Sequence, residues 1–222
     1  MKPTKQQFAK DISNNNFKMT IIGMSNIGKT FWSKRLSERG FKHIDCDLIL
    51  EGKLKPELKK FGYKGLSEIT KWLGQPYETQ FRKNEKIISE LEKEITINIL
   101  NDLENHSQNV IIDTPGSIIY TGDEICSDLK DKTVIVYIEA TPEMKEAMFE
   151  NFLKNPKPII WQNSYEKSEQ ESEFESLARC YPKLLAYRTS EYEKYADITI
   201  PYHTLREDMT TEEFLERLSK EL

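Results

Sequence analysis

A loop with glycine at both ends, followed at once by lysine and threonine, has the residue types and spacing that bind phosphate. The stretch Gly23-Met24-Ser25-Asn26-Ile27-Gly28-Lys29-Thr30 matches the pattern GxxxxGK[ST]. In such loops the glycines let backbone N–H groups surround the phosphates, the lysine reaches the β- and γ-phosphates, and the hydroxyl group ligates Mg²⁺. A glycine-containing turn with a chance Lys-Thr pair is the alternative. The predicted ATP-binding residues are Gly23, Ser25, Asn26, Ile27, Gly28, Lys29, Thr30 and Phe31.

Two aspartates, Asp45 and Asp47, follow a short apolar run at 41–44. On an extended segment, positions two apart share a face, so we expect both carboxylates at the carboxyl edge of a sheet, where phosphates bind. One carboxylate can hold a magnesium-bound water while the other accepts a proton from, or orients, a hydroxyl nucleophile. An ordinary polar loop after a strand is the alternative.

Strands and helices that alternate along the chain would position these groups. The alternation predicts an α/β domain with a parallel sheet covered on both faces, and we treat residues 1–222 as one domain. The region from about 48 to 105, whose polar first part is broken by glycines, predicts an acceptor-binding excursion above the sheet. The segment 154–172 predicts an exposed, mobile lid. Predicted strands lie at 17–22, 41–44, 110–112, 134–138 and 196–200, and predicted helices at 28–39, 84–105, 142–153, 173–189 and 211–221.

The composition excludes several functional classes. A net charge of −5 and a pI of about 5.5 give no basic surface for nucleic acid. No apolar run approaches the roughly 20 residues that span a bilayer, and the first residues lack the apolar centre of a signal peptide. We therefore predict a cytoplasmic monomer or weak dimer that binds neither nucleic acid nor membrane.

The cysteines and histidines show no metal-binding pattern in the sequence. Without paired spacing, the cysteines are predicted to be buried free thiols. The histidines fall on dissimilar elements without ligand spacing, so we predict ordinary surface or core residues. The residues concerned are Cys46, Cys126, Cys180, His43, His106 and His203.

Four stretches of the chain together resemble the shikimate kinase family of P-loop small-molecule kinases. They are the phosphate loop, the D-x-D pair, FRKNE at 81–85 and RTSEYEKYADITI at 188–200. The resemblance implies a three-layer fold with five parallel strands in the order 2-3-1-4-5, helices on both faces and a mobile lid. It also implies that Arg82 and Arg188 hold a carboxylate of the acceptor. Asp45 would lie beside a magnesium-bound water, and Asp47 would contact the acceptor hydroxyl. Planar guanidinium groups suit such carboxylate binding.

The family's lid carries an arginine in an R-P-L-L-like stretch, and the matching run here is Lys157-Pro158-Ile159-Ile160. Lys157 would neutralise the transferred phosphoryl group as a point charge, without the fork geometry of arginine. Lys154 would assist, and a solvated basic loop is the alternative. Trp161 and Tyr165 in the lid are predicted to make a hydrophobic hinge contact rather than to cover a bound ring.

The segment Asp113-Thr114-Pro115-Gly116-Ser117 departs from the family, which has a run of glycines here whose N–H groups contact shikimate. Gly116 matches, but Pro115 has no N–H to donate. We therefore expect kinase chemistry without specificity for shikimate. Asp113 is predicted to be an outer-sphere magnesium partner or a base facing the acceptor, with a structural hydrogen bond to the phosphate loop as the alternative. DTPG also resembles a GTPase loop, but no NKxD-type motif follows.

These residues predict an ATP-dependent kinase that transfers the γ-phosphoryl group to a hydroxyl of a small, anionic acceptor, with Mg²⁺ as cofactor. A nucleoside or sugar-acid kinase on the same fold, and a non-catalytic nucleotide-binding regulatory module, are the alternatives. The predicted catalytic residues are Lys29, Asp47 and Lys157, the acceptor-binding residues are Asp47, Arg82, Gly116 and Arg188, and the metal-binding residues are Thr30, Asp45 and Asp113.

Overall fold

The computed structural model describes residues 3–62, 66–154, 157–206 and 208–222, and it has a five-stranded sheet at its centre. All neighbouring strands pair in parallel, in the order β2-β3-β1-β4-β5. This confirms the predicted α/β class and the strand order 2-3-1-4-5. The strands are β1 (Lys18–Gly23), β2 (Lys42–Asp45), β3 (Val110–Asp113), β4 (Val134–Glu139) and β5 (Ile198–Pro201).

The central strands are buried on both faces. In β1 the consecutive residues Met19, Thr20 and Ile21 are all fully buried, as are Val136 and Tyr137 in β4. Because successive side chains of a strand point to opposite faces, helices must cover both sides of the sheet. The helices are α1 (Lys5–Ser13), α2 (Lys29–Ser37), α3 (Cys46–Lys60), α4 (Leu66–Leu73), α5 (Phe81–Asp102), α6 (Asp123–Lys132), α7 (Pro142–Lys154), α8 (Glu173–Tyr195) and α9 (Thr211–Lys220).

The chain after β2 does not continue as the extended segment that the sequence analysis expected. Asp45 is the N-cap of α3, and its carboxylate accepts a hydrogen bond from the Leu48 N–H at 2.9 Å. Aspartate favours this position because it satisfies an otherwise unpaired donor of the first turn. Asp47 consequently lies in the first turn of a helix. The excursion after residue 48 is mostly helical, formed by α3, α4 and α5.

The predicted lid segment is less exposed than its composition indicated. Ile160, Trp161 and Tyr165 are buried, and the Trp161 ring packs at 5.7 Å from Tyr165 and 5.9 Å from Tyr181, measured between ring centroids. The prediction of an exposed segment is therefore wrong for these three residues, because large aromatic rings gain free energy by packing against one another away from water. The hydrophobic contact expected of Trp161 and Tyr165 is observed. Residues 155 and 156 of this segment lie outside the described residues.

Two simpler expectations can also be compared with the structure. Cys46, Cys126 and Cys180 are free and buried, as predicted. None of the helices in the described part of the chain is long and apolar enough to cross a lipid bilayer.

Candidate active site

The phosphate loop, residues 23–30, lies between β1 and α2, where a loop of this kind must lie to bind phosphate. Gly23 has a φ of 143°, and a Cβ atom there would come within 2.7 Å of the Ile138 carbonyl oxygen. Gly28 has a φ of 91° and is the N-cap of α2. Both glycines are therefore required by geometry. Most predicted ATP-binding residues line one large cavity, namely Ser25, Asn26, Gly28, Lys29, Thr30 and Phe31, while Ile27 is buried beneath the loop.

Lys29 is folded against this loop and is buried. Its Nζ donates hydrogen bonds to the carbonyl oxygens of Gly23 at 3.1 Å and Met24 at 2.9 Å. Burial lowers the pKa of the ammonium group, and the carboxylates of Asp113 and Asp47 oppose this effect. A cation held at the mouth of a glycine loop is placed to bind phosphate oxygens in exchange for these carbonyl groups.

A group of oxygen and nitrogen ligands lies at the ends of β2 and β3, beside Thr30. The ligand atoms of His43, Asp45 and Asp113 all lie within 4.8 Å of one another. Burial raises the pKa of Asp113, while a hydrogen bond with the Thr30 side chain lowers it. Carboxylate and hydroxyl oxygens are the protein ligands that Mg²⁺ prefers. The residues predicted to hold the metal, Thr30, Asp45 and Asp113, are therefore brought together.

His43 belongs to this group, although the sequence predicted an ordinary surface or core histidine without a ligand role. Its Nε2 lies 3.4 Å from Asp113 Oδ2. The parallel pairing of β2 with β3 sets Asp45 opposite Asp113, and His43, two positions earlier, shares their face. Ligand spacing along the chain could not reveal this, because the contact arises between strands. Imidazole nitrogen is not a usual ligand of Mg²⁺, so His43 is better suited to orient the Asp113 carboxylate.

Asp47 faces the cavity from the first turn of α3. Protein surrounds it on most sides, yet its carboxylate remains accessible to solvent through the cavity. Burial raises its pKa, and the nearby Lys29 ammonium opposes this effect. A carboxylate in this position can accept a hydrogen bond from a hydroxyl group bound in the cavity.

The cavity has a volume of about 870 Å³, which is large enough for two small molecules side by side. One part is formed by the phosphate loop together with Lys154 and Lys157. The other part, which we call the helical part, is formed by α3, α4, α5, α8 and the segment after β3. Its lining residues are Asp47, Leu50, Ile69, Thr70, Ile88, Glu92, Pro115, Gly116, Ser117 and Arg188.

Arg188 enters the helical part from α8 and is 5% exposed. Its Nη2 donates to the Ile160 carbonyl oxygen at 2.8 Å, and its guanidinium lies 5.5 Å from the centre of the Tyr120 ring. A Cβ atom at Gly116 would lie only 3.2 Å from Arg188 Nη1, so glycine makes room for the guanidinium. No carboxylate of the described residues pairs with Arg188, and its Nε has no hydrogen-bond partner among them. A buried, unpaired guanidinium is suited to bind an anion.

Arg82 occupies a different position from the one predicted. Its guanidinium pairs with Glu85 at 3.1 Å and donates to the carbonyl oxygens of Gln162 at 2.5 Å and Tyr165 at 3.2 Å. It is not among the described residues that line the cavity. The structure therefore does not support an acceptor-binding role for Arg82, because backbone carbonyls of the lid segment already take its donors.

Glu85 joins the start of α5 to the lid segment. Its Oε1 accepts hydrogen bonds from the backbone N–H groups of Trp161 at 2.6 Å and Gln162 at 2.8 Å. Gln162 has a φ of 47°, a left-handed conformation that is uncommon for this residue type. The buried carboxylate of Glu85 thus satisfies two donors at an irregular turn, and we call this set of contacts the Glu85 joint.

Lys157 contacts the phosphate loop directly. Its Nζ lies 2.5 Å from Asn26 Oδ1, and both side chains line the cavity. Lys154 also lines the cavity, and its Nζ pairs with Glu150 at 3.5 Å. The two lysines add positive charge where a nucleotide phosphate chain would lie.

Glu92 and Ser117 are cavity residues that the sequence analysis missed. Ser117 Oγ donates to Glu92 Oε1 at 2.5 Å, and Glu92 is only 4% exposed. Burial raises the pKa of Glu92 to about 8, although the Ser117 hydrogen bond opposes this. A signal was present in the sequence: Glu92 follows Glu85 and Ile88 at helical spacing, on the face of α5 that packs inward.

We expect Glu92→Gln to stabilise the protein increasingly as the pH rises from 5 to 8. Between its ordinary pKa of 4.5 and the folded value of about 8, Glu92 loses its proton in the unfolded chain but keeps it when folded. The wild-type free energy of unfolding therefore falls over this range. Glutamine does not titrate and so removes this fall in the free energy of unfolding. At about 1.4 kcal/mol per pKa unit, the fall amounts to a few kcal/mol between the two pKa values.

Thermal unfolding at several pH values measures this difference. The matched control is Glu90→Gln, which removes the same acidic group at an exposed position on the same helix, outside the cavity. Asp47 and Asp113 titrate in all these proteins and so cancel in the comparison. A constant difference between Glu92→Gln and the wild type from pH 5 to 8 would show that Glu92 is ionised in the folded protein.

Comparison with solved structures shows the fold of shikimate kinases. The chain is similar to shikimate kinase from Bacteroides thetaiotaomicron, with a TM-score of 0.56 and 16% identity over 92% of this chain and 97% of that one. For shikimate kinase from Acinetobacter baumannii, in complex with shikimate, the TM-score is 0.54 and the identity 18%, over 95% of this chain and 93% of that one. For shikimate kinase from Aquifex aeolicus, the TM-score is 0.51 and the identity 20%, over 92% of this chain and 97% of that one. Neither the protein-family models nor the curated protein sequences compared with the chain match it.

Proposed function

We propose that this protein is an ATP-dependent small-molecule kinase that transfers the γ-phosphoryl group to a hydroxyl of a small, anionic acceptor. The supporting observation is a single cavity that contains a phosphate loop with Lys29, the carboxylate of Asp47 and the guanidinium of Arg188, which has no carboxylate partner among the described residues. The likeness to solved shikimate kinases agrees with this chemistry at the level of the fold.

Mg²⁺ fits the oxygen ligands beside the phosphate loop. Thr30, Asp45 and Asp113 would hold it, directly or through water, with His43 orienting Asp113. When bound with ATP, the ion supplies charge neutralisation on the phosphate oxygens.

The protein's own residues would position the reactants and stabilise charge. Lys29 and Lys157 would bind the phosphate oxygens, on which negative charge develops during transfer. Asp47 would accept the hydrogen bond of the acceptor hydroxyl and orient its oxygen toward the γ-phosphate. Arg188 would hold the acceptor's anionic group with charge-assisted hydrogen bonds.

Shikimate is expected to be a poor acceptor, although the fold is that of shikimate kinases. Pro115 lines the helical part of the cavity and has no N–H group to offer a ligand. Arg82, the second arginine implied by the resemblance, is bound to the lid segment instead. ATP consumption measured with a panel of hydroxylated acids, sugars and nucleosides would identify the acceptor. Tight nucleotide binding without turnover on any acceptor would favour the regulatory module.

The Arg188→Ala variant is expected to raise the KM for the acceptor by about ten- to a hundredfold, because a charge-assisted hydrogen bond contributes roughly 1.5–3 kcal/mol. The KM for ATP should stay unchanged. Arg179→Ala is the matched control, since Arg179 lies on the same helix but pairs with Glu171 outside the cavity. Arg82→Ala should leave the acceptor KM close to that of the wild type. If Arg82→Ala raises the KM for the acceptor strongly and Arg188→Ala does not, then Arg82 and not Arg188 binds the acceptor.

A further inference from the structure

The wall of the helical part next to Gly116 contains a carboxyl group hydrogen-bonded to a hydroxyl group. Ser117 and Glu92 meet there, with Ser117 Oγ donating to Glu92 Oε1 at 2.5 Å, and both residues line the cavity. The apolar side chains of Leu50, Ile69 and Ile88 line the same part. A carboxyl group among these side chains is costly unless it is hydrogen-bonded.

Glu92 is not fully satisfied by the protein. Its Oε2 is buried and has no hydrogen-bond partner among the described residues. Buried polar atoms almost always have partners, so this oxygen is left for a water or for a molecule bound in the cavity. Arg188 Nε, in the same part of the cavity, is a second buried polar atom without a partner among them.

The charges nearby restrict what Glu92 can bind. Asp47 and Arg188 both act electrostatically on Glu92, one negative and one positive. A carboxylate bound against Glu92 would be repelled by Asp47, and an ammonium group would be repelled by Arg188. A neutral hydroxyl group avoids both repulsions, and it can donate to Oε2 or accept a proton from it.

We propose that Glu92 and Ser117 form a second polar subsite of the acceptor cavity, which binds a hydroxyl group other than the one that receives the phosphoryl group. This inference rests on the proposed kinase function and deepens it. The acceptor is then a polyhydroxylated acid with three recognised groups. Its anionic group meets Arg188, its reacting hydroxyl meets Asp47, and a further hydroxyl meets Glu92.

The test uses the full chain with an ATP analogue and hydroxy acids that carry one or several hydroxyl groups: glycolate, glycerate, gluconate, shikimate and quinate. Thermal shift measures binding, and transfer from labelled MgATP measures turnover. We expect the wild type to bind a polyhydroxylated member more tightly than glycolate. Glu92→Met should weaken that binding about ten- to a hundredfold. Glu92→Gln should retain most of the binding, since the amide also donates and accepts hydrogen bonds.

Two further variants make the result interpretable. Ser117→Ala should weaken binding of the same acceptor without changing the KM for ATP. The exposed Glu90→Gln should change neither acceptor binding nor the KM for ATP. Unaltered acceptor binding in both Glu92→Met and Ser117→Ala would overturn the subsite, even with full kinase activity. Acceptor binding that depends on Glu92, without any phosphoryl transfer, would support the subsite and contradict the kinase function. No binding of any member by the wild type would overturn the subsite as stated.

Discussion

Lys29→Ala is expected to abolish ATP turnover while the protein stays folded. The Lys29 ammonium donates to two backbone carbonyls of the phosphate loop, and in the proposed reaction it moves its hydrogen bonds to phosphate oxygens. Loss of one buried donor to a transition-state charge typically lowers turnover by about 10²–10³-fold. The fold should persist, because alanine favours the helical conformation at the start of α2.

Steady-state turnover and thermal unfolding, measured on the same preparation, test this prediction. Lys34→Ala is the matched control, since Lys34 lies on the exposed side of the same helix. It should retain the wild-type rate. Turnover by Lys29→Ala at the wild-type rate would show that the phosphate loop is not the site of transfer.

Asp47→Asn is expected to retain binding of MgATP and to lose phosphoryl transfer. The amide has nearly the shape of the carboxylate, but it cannot accept the proton of the acceptor hydroxyl. A positioned proton acceptor contributes typically 10²–10⁴-fold to rate, and we expect a loss of about that size. Because burial raises the pKa of Asp47, the wild-type rate should also fall as the pH drops toward that pKa.

Nucleotide binding measured by titration, together with single-turnover transfer, separates these effects. Glu51→Gln, one turn further along α3, serves as the control for a lost acidic charge. If Asp47→Asn transfers the phosphoryl group like the wild type, the proton acceptor is to be sought at Asp113, which lies nearby and is buried.

The position of the phosphate loop could be predicted from the sequence because its signal is local. One strand, one glycine loop and one helix start within a few residues of each other, and the chain folds as the motif requires. The strand order followed from the resemblance to shikimate kinases rather than from the pattern of residues. The three cysteines could be predicted to be buried free thiols because their spacing fits neither a disulfide framework nor a zinc site.

The surroundings of the helical part were harder to predict because they are assembled from distant segments. Asp47 was placed on an extended strand, but the capping preference of Asp45 begins a helix there. The contact of His43 with Asp113 depends on strand pairing, and the position of Arg82 depends on the carbonyl groups of a remote segment. Glu92 lies, like Glu85, on the inward face of α5, and its position in the sequence does not identify the cavity it lines.

The Glu85 joint has a thermodynamic consequence for the two substrates of the proposed reaction. Helix α5 carries Ile88 and Glu92 in the cavity wall, and through Glu85 it also holds the turn that follows Lys157. Any shift of α5 on binding of one substrate therefore changes the surroundings of the other. Linkage requires the effect to be reciprocal: the factor by which the acceptor tightens nucleotide binding equals the factor by which the nucleotide tightens acceptor binding. In Glu85→Ala that common factor should approach one, and substrate binding should become independent.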